Sequence, residues 1–285
     1  MSGKLYIVGT PIGNLEDITL RALKTLQTVD FIAAEDTRVT SKLLNHFNIK
    51  KPMTSYFEHN KHEKGNRICQ KIQSGENCAL VSDAGMPLIS DPGEELVKQC
   101  YNLKIDIKVV PGPNAAISAL CLSGISSGRF TFEGFLSKNK KNRVNHLKLL
   151  ENEHRTMIFY ESPHKLLSTL KDFYNFFGDR QIAIARELTK IHEEVKTMAI
   201  SEAIDFYSNG AKGEFVIIVP GATTSTENPN YSIDKAVEIA LNYEKDGEAK
   251  PIAAKKASKI TGFNKSEIYK IMSKQQTKGT KSTPI

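Results

Sequence analysis

Three segments of the chain share one plan, in which an apolar run ends and a tight turn of glycine, proline and small polar residues follows. Gly9-Thr10-Pro11-Ile12-Gly13-Asn14 follows Leu5–Val8, Ser82–Gly93 follows the run from Ala79, and Pro111-Gly112-Pro113-Asn114-Ala115-Ala116 follows Lys108–Val110. Glycines and small residues let a ligand approach the backbone, and a helix opening after such a turn offers free N–H groups. The first turn is neither GxGxxG nor GxxxxGK[ST], which excludes the common dinucleotide and nucleoside-triphosphate loops. Pro11 also removes an N–H that a phosphate cradle would use. The second turn holds two carboxylates. Asp83 reads as facing a ligand, whereas Asp91-Pro92 reads as the N-cap and first residue of the next helix. Three such turns from one sheet would lie side by side along its carboxyl edge, where open α/β sheets bind ligands.

Charged residues close other apolar runs: Glu35-Asp36-Thr37-Arg38, Tyr160-Glu161-Ser162-Pro163-His164 and Arg186-Glu187-Leu188-Thr189-Lys190. Ser137–Arg143 reads as a basic loop, either a solvated surface run or a phosphate-contacting arm. No Ser/His/Asp triad and no set of metal-ligand spacings is evident, so no metal is expected.

The elements that must position these residues alternate. Leu5–Val8, Phe31–Ala34, Ala79–Ser82 and Lys108–Val110 read as buried strands, with helical spacing between them. That alternation predicts an α/β domain with a largely parallel sheet. A second series of strands follows at Phe130–Phe132, Thr156–Tyr160, Gln181–Ala185, Glu194–Met198 and Phe215–Val219, spaced closely enough to predict some antiparallel pairing. The expected organisation is an N-terminal α/β domain over 1–118, a second over 119–221 and a linker over 222–232. Helices resembling a helix-turn-helix follow over 233–275, then a disordered tail over 276–285.

The 285 residues carry 39 basic and 32 acidic side chains, a formal charge of +7 that suits a polyanionic partner without establishing one. With 40% hydrophobic and 25% charged residues, the composition is that of a folded globular protein. No apolar stretch of about 18 residues is present, so no membrane span is expected. No signal peptide is recognised at the start, which points to the cytoplasm. Cys69, Cys78, Cys100 and Cys121 form no CxxC and read as reduced, packed thiols.

Taken in order, the segments resemble the tetrapyrrole-methylase superfamily, and its RNA-modifying branch most closely. The matching stretches include LYIVGTPIGNLEDITLRAL (Leu5–Leu23), IAAEDTRVTSKLL (Ile32–Leu44), ALVSDAGMPLISDPG (Ala79–Gly93) and VVPGPNAAISAL (Val109–Leu120). FEGFL (Phe132–Leu136), FYESPHKL (Phe159–Leu166), ARELTK (Ala185–Lys190) and GEFVIIV (Gly213–Val219) continue the match to about residue 221. The resemblance implies two α/β domains with S-adenosylmethionine in the cleft between them, a homodimer, and methylation of a cytidine ribose 2′-hydroxyl in 16S rRNA, free or in the small ribosomal subunit. It places cofactor contacts at Pro11, at Ser82, Asp83, Ala84 and Gly85, at Ile89, at Asn114 and Ala115, and near Glu161 and Leu188. The family's first loop reads GxGPGD; here Pro11 carries over and the aspartate does not.

Methylating a hydroxyl needs in-line alignment and a group that takes its proton. Asp36, Glu161 and Glu187 are the carboxylates available for that role. Arg38, Arg186 and Lys190, with Lys138, Lys140, Lys141 and Arg143 of the basic loop, are the expected RNA contacts. Two other readings stay open on the residues alone: a methyltransferase for a small tetrapyrrole, and a non-catalytic RNA-binding assembly protein. A nucleotide-dependent dehydrogenase is disfavoured by its missing fingerprint.

Overall fold

The computed structural model describes residues 2–222 and 231–279. Residues up to 222 form one compact unit, and a second unit follows. The first unit carries two five-stranded sheets.

In the first sheet β1 (Lys4–Val8), β2 (Phe31–Ala34), β3 (Met53–Ser55), β4 (Cys78–Val81) and β5 (Asp106–Val110) lie in the order β3-β2-β4-β1-β5. Every pairing is parallel. Both faces are covered, which is why β2 and β4 are apolar throughout. Phe31, Ala33, Cys78 and Leu80 pack against Ile68, Ile72 and Leu96 of α3 (Lys61–Gln73) and α4 (Glu94–Asn102). Ile32, Ala34, Ala79 and Val81 pack on the opposite face against Ala22, Leu26 and Leu44 of α1 (Leu20–Thr28) and α2 (Thr37–His46). β3 was not legible in the sequence, since its three residues follow two lysines and a proline and form no apolar run.

The strand order fixes where a ligand can enter. β1 connects to β2 across β4, while β4 connects to β5 across β1. Adjacent strands whose connections leave in opposite directions open a crevice at their carboxyl ends. The turns after β1 and β4 occupy that crevice.

The second sheet has the order β6-β7-β10-β8-β9, from β6 (Phe130–Phe135), β7 (Thr156–Glu161), β8 (Gln181–Arg186), β9 (Glu194–Ala199) and β10 (Phe215–Val219). β6 and β7 are parallel, and the remaining pairings are antiparallel. One face packs against α6 (Lys140–Leu150), α7 (Pro163–Phe177) and α8 (Ile200–Phe206) through Leu147, Leu166, Leu170, Phe173 and Ile200. The other face takes α5 (Ala115–Leu122), whose Ala116, Ala119 and Leu120 pack on Ile158, Ala183, Val216 and Ile218. α5 therefore leaves the first sheet and covers the second. The boundary expected at residue 118 falls inside this helix.

Three further expectations are corrected. The basic loop is half helix: Asn139 caps α6 by accepting from the Asn142 N–H at 3.2 Å, so Lys140, Lys141 and Arg143 lie in its first turn. Cys121 is exposed, whereas Cys69, Cys78 and Cys100 are buried. The tail expected from 276 begins as helix, because α11 runs to Gly279; residues 280–285 lie outside the described residues, as do 223–230 of the expected linker.

The second unit holds α9 (Ile233–Lys245), α10 (Lys250–Thr261) and α11 (Lys265–Gly279). Ala236, Ala240, Ala253, Ala257, Ile268 and Met272 form its own core. Gly262 ends α10 in the left-handed region at φ 80°, where glycine is the usual residue. The helix-turn-helix outline read from Gly262-Phe263-Asn264 has this turn at its centre.

Phe173 is fully buried, with ring centroids 4.7 Å from Phe159 and 5.3 Å from Phe177. Phe173→Ala is expected to cost about 3–5 kcal/mol of the first unit's stability. Urea unfolding followed by circular dichroism measures this, and a loss below about 1 kcal/mol would contradict the packing described.

Candidate active site

Three turns meet at the carboxyl ends of β4, β1 and β5. Thr10 and Gly85 exchange both backbone hydrogen bonds, at 2.9 and 3.1 Å, as an isolated antiparallel bridge outside the sheet. Thr10 Oγ1 also donates to the Ser82 carbonyl at 3.3 Å, and the Gly9 N–H donates to the Val110 carbonyl at 3.0 Å. A Cβ on Gly9 would stand 2.7 Å from Gly112 backbone atoms, and one on Gly112 would stand 2.9 Å from Gly9. Both positions therefore need glycine for close approach rather than for a special φ.

Between these turns and the second sheet lies a cleft of roughly 490 Å³, within the range of small-ligand sites. It is acidic on one side. Glu35, Asp83 and Asp91 line it. The Asp83 N–H donates to Glu35 at 3.3 Å, and Asp83 in turn accepts from the Asp36 N–H at 3.1 Å. All three carboxyls are pushed above their ordinary values, first by burial and then by neighbouring carboxylates. Asp91 is pushed furthest, to about 7, with Glu35 as its main charged neighbour and Ser82 as the hydrogen-bond partner that opposes the shift.

The cap expected at Asp91 is corrected by this geometry. Gly93 is the N-cap of α4, without a side-chain cap, and Asp91 faces the cleft instead. Backbone strain gathers in the same places. Leu88 (φ 74°), Ser90 (φ 67°), Glu187 (φ 51°) and Thr189 (φ 66°) are non-glycine residues in the left-handed region, all in the turns after β4 and β8. Such strain persists only where the surroundings over-determine it.

Of the expected cofactor contacts, Asp83, Ala84, Gly85 and Ile89 line the cleft from the first sheet; Asn114, Ala115, Glu161 and Leu188 line it from the other side. Pro11 and Ser82 are buried and lie outside the lining; Ile12 reaches the cleft in place of Pro11. Met86, Phe135, Tyr160 and the start of β10 at Glu214–Val216 join the wall. The sequence carried a signal for these in SDAGMPL, FEGFL, FYESPHKL and GEFVIIV but not their direction.

The three candidate carboxylates separate. Asp36 caps α2 and is paired with Arg38 at 2.6 Å, which holds its carboxyl down at about 2. Glu187 is bound by Lys190 at 3.0 Å and by the Glu214 N–H at 3.0 Å, and Lys190 keeps its carboxyl low. Neither lines the cleft. Glu161 does, buried, accepting from the Ser162 N–H at 2.8 Å and from Thr169 Oγ1 at 2.6 Å.

The expected RNA contacts also divide. Lys190 bridges Glu187 and Glu214, Arg186 donates to the Lys212 carbonyl at 2.7 Å, and Arg143 pairs with Asp172 at 2.7 Å. Lys138, Lys140 and Lys141 are exposed, as is the Arg38 side chain beside Asp36. Among the described residues no cluster of three metal-ligating side chains occurs, and no helix is long and apolar enough to cross a membrane.

A parallel sheet whose switch point faces a second, mixed sheet across an acid-lined cleft defines a two-part α/β protein that binds a small ligand between its halves. Residues 4–204 match the model of the Tetrapyrrole (Corrin/Porphyrin) Methylases, and the chain belongs to that family. It is similar to ribosomal RNA small subunit methyltransferase I of Synechocystis sp., at 45% identity over 271 residues, covering 94% of this chain and 97% of that one. The Thermotoga maritima protein of the same name is 51% identical over 220 residues, covering 77% of this chain and 99% of its own. Among solved structures, uroporphyrin-III C-methyltransferase from Thermus thermophilus complexed with S-adenosylhomocysteine shares the fold, with TM-score 0.55, 17% identity, and 76% and 97% of the two chains covered.

The raised Asp91 carboxyl makes a stability prediction. The unfolded chain ionises an aspartate near about 3.9, the folded one near about 7. Between these values the folded state holds the extra proton, so stability falls as pH rises. Asp91→Asn is expected to raise the melting temperature at pH 8 while giving no gain at pH 4. Thermal melts at the two pH values decide, and a variant no more stable than wild type at pH 8 would contradict the assigned burial.

Proposed function

We propose that this protein is an S-adenosylmethionine-dependent methyltransferase that methylates the ribose 2′-hydroxyl of a cytidine in the 16S rRNA of the small ribosomal subunit. The observation that carries this reading is the 45% identity, along 94% of the chain, to a ribosomal RNA small subunit methyltransferase I. The cleft suits the cofactor. S-adenosylmethionine carries a sulfonium and an ammonium, and Glu35, Asp83 and Asp91 line one side of the cleft with carboxylates held above their ordinary values. A cation there relieves their mutual repulsion. Leu188 and Val216 supply an apolar wall, and Ala84, Gly85 and Ala115 leave room for close backbone approach.

When bound, the cofactor supplies an electrophilic methyl group. The chain's own residues then align the ribose oxygen and exclude water, which contributes about 7–11 kcal/mol in well-oriented systems. Of the three carboxylates read as proton acceptors, Glu161 faces the cleft and takes that role here, with Ser162 and Thr169 fixing its orientation. Lys138, Lys140, Lys141 and Arg38 carry the phosphate contacts, and their effect weakens with salt. The reading carries with it a cytoplasmic location, where a ribosomal substrate would be met.

Titration calorimetry with S-adenosylmethionine tests the cofactor half of the reading. Because a cation prefers ionised Asp91, affinity is expected to rise with pH up to about 7, by up to about tenfold per unit, and Asp91→Asn is expected to abolish that slope. Methyl transfer from labelled cofactor to small subunits lacking the modification tests the rest. A well-folded protein that binds no cofactor, with or without subunits, overturns the reading.

The same reading includes a homodimer. α5 is apolar almost all round, yet Ile117 and Leu122 are exposed at 44% and 52%. A helix of that kind is normally covered on both sides. Light scattering is expected to give twice the 31.7 kDa chain mass, and Ile117→Glu with Leu122→Glu is expected to halve it. A wild-type monomer would refute the dimer.

A further inference from the structure

Strand alternation would send Phe132 and Phe135 to opposite faces of β6. The register shows otherwise. Phe132 pairs with Ile158, and Gly134 pairs with Phe159, so Glu133 is an extra residue and β6 carries a bulge. After it, Phe135 pairs with Tyr160 and returns to the face that Phe132 and Ile158 occupy. The bulge is held from both sides. Glu133 meets His146 Nε2 at 2.8 Å, and Gly134 takes φ 61°, which favours glycine, with space for a Cβ limited by Ser90 Oγ at 3.3 Å.

The consequence is an aromatic step at the cleft. Tyr160 makes T-shaped contacts with Phe132 at 5.0 Å and with Phe135 at 5.5 Å. Tyr160 is pinned in turn, its hydroxyl accepting from the Ala116 N–H at 3.1 Å. Phe135 lines the cleft yet is 55% exposed, and among the described residues no ring lies parallel to it. Bulges next to binding sites re-aim a side chain, and leaving a phenylalanine face to water has a cost. The function derived above does not use this ring.

We propose that Phe135 is the platform on which the base of the target nucleotide stacks while its ribose enters the cleft. This rests on the reading that the substrate is RNA. A ribose within a stacked strand cannot reach an enclosed methyl group, so the nucleotide must leave the stack. Single-stranded bases are commonly held by stacking on aromatic side chains, which tolerate any base because each offers a π-face. Ile89, on the first-sheet side of the cleft and 40% exposed, bounds the same space with an apolar group.

The test uses the full chain with S-adenosylmethionine and small ribosomal subunits lacking the modification. Phe135→Leu is expected to lower kcat/KM for subunits by roughly 5- to 100-fold, with cofactor affinity unchanged by calorimetry. Phe135→Trp is expected to restore it. Phe130→Leu, on the same strand and outside the cleft lining, serves as the control and is expected to match wild type. Methylation by Phe135→Leu equal to wild type overturns the stacking assignment alone. So does a loss that Phe135→Trp does not repair and that is matched by weakened cofactor binding, which would assign Phe135 to the cofactor. Wild-type protein that binds cofactor but methylates no small-subunit RNA overturns the reading of the substrate, and this proposal with it.

Discussion

The site depends on the reciprocal backbone pair between Thr10 and Gly85. It joins the turns after β1 and β4 at the point where their connections leave the sheet in opposite directions. A crevice at a switch point is a gap by construction. Two loops over a gap would ordinarily be the least ordered part of a domain. Here each satisfies the other's backbone groups, so neither needs water or ligand to do it. The third turn is tied to them through Gly9 and Val110. From it α5 departs to cover the second sheet, so the two halves share the helix that forms one wall of the cleft.

The electrostatics follow from that enclosure. The turns half-bury Glu35 and Asp91 and draw Asp83 only partly out of water, and the pKa values of all three move in the direction burial demands. A carboxyl raised in this way costs the fold stability once it ionises. The pattern is typical of sites in which binding is favoured at the expense of the empty fold. Asp36 and Glu187 show the reverse case, each paired with a basic neighbour and held low.

Much of this was legible in the sequence, and the failures have physical reasons. Apolar runs ending in glycine–proline turns marked β1, β4 and β5 and the turns that meet there, because buried parallel strands have one compositional signature. β3 lacks that signature and was missed. Asp91 was misassigned because Asp-Pro before an acidic helix start is a good local cap, and local rules do not know that Gly93 can take the cap position. Lys140–Arg143 read as loop because a charged first turn of helix resembles a solvated run. Phe135 was invisible as a cleft residue, since its direction depends on a bulge that only the pairing with β7 reveals. The Lys190 ion pair with Glu214 and the Arg186 hydrogen bond to the Lys212 carbonyl join residues far apart in sequence, which no local reading anticipates.

The contact between Gly9 and Gly112 constrains how such a chain can change over time. In an ordinary tight contact, a larger residue on one side is accommodated by a smaller one opposite. Here both sides are already the smallest residue, and each would strike the other's main chain, with a Cβ on Gly9 also meeting Met86 Sδ at 2.7 Å. No compensating substitution exists, in either order. The two positions, 103 residues apart, are therefore locked together by geometry alone, and divergence within this fold must proceed around them.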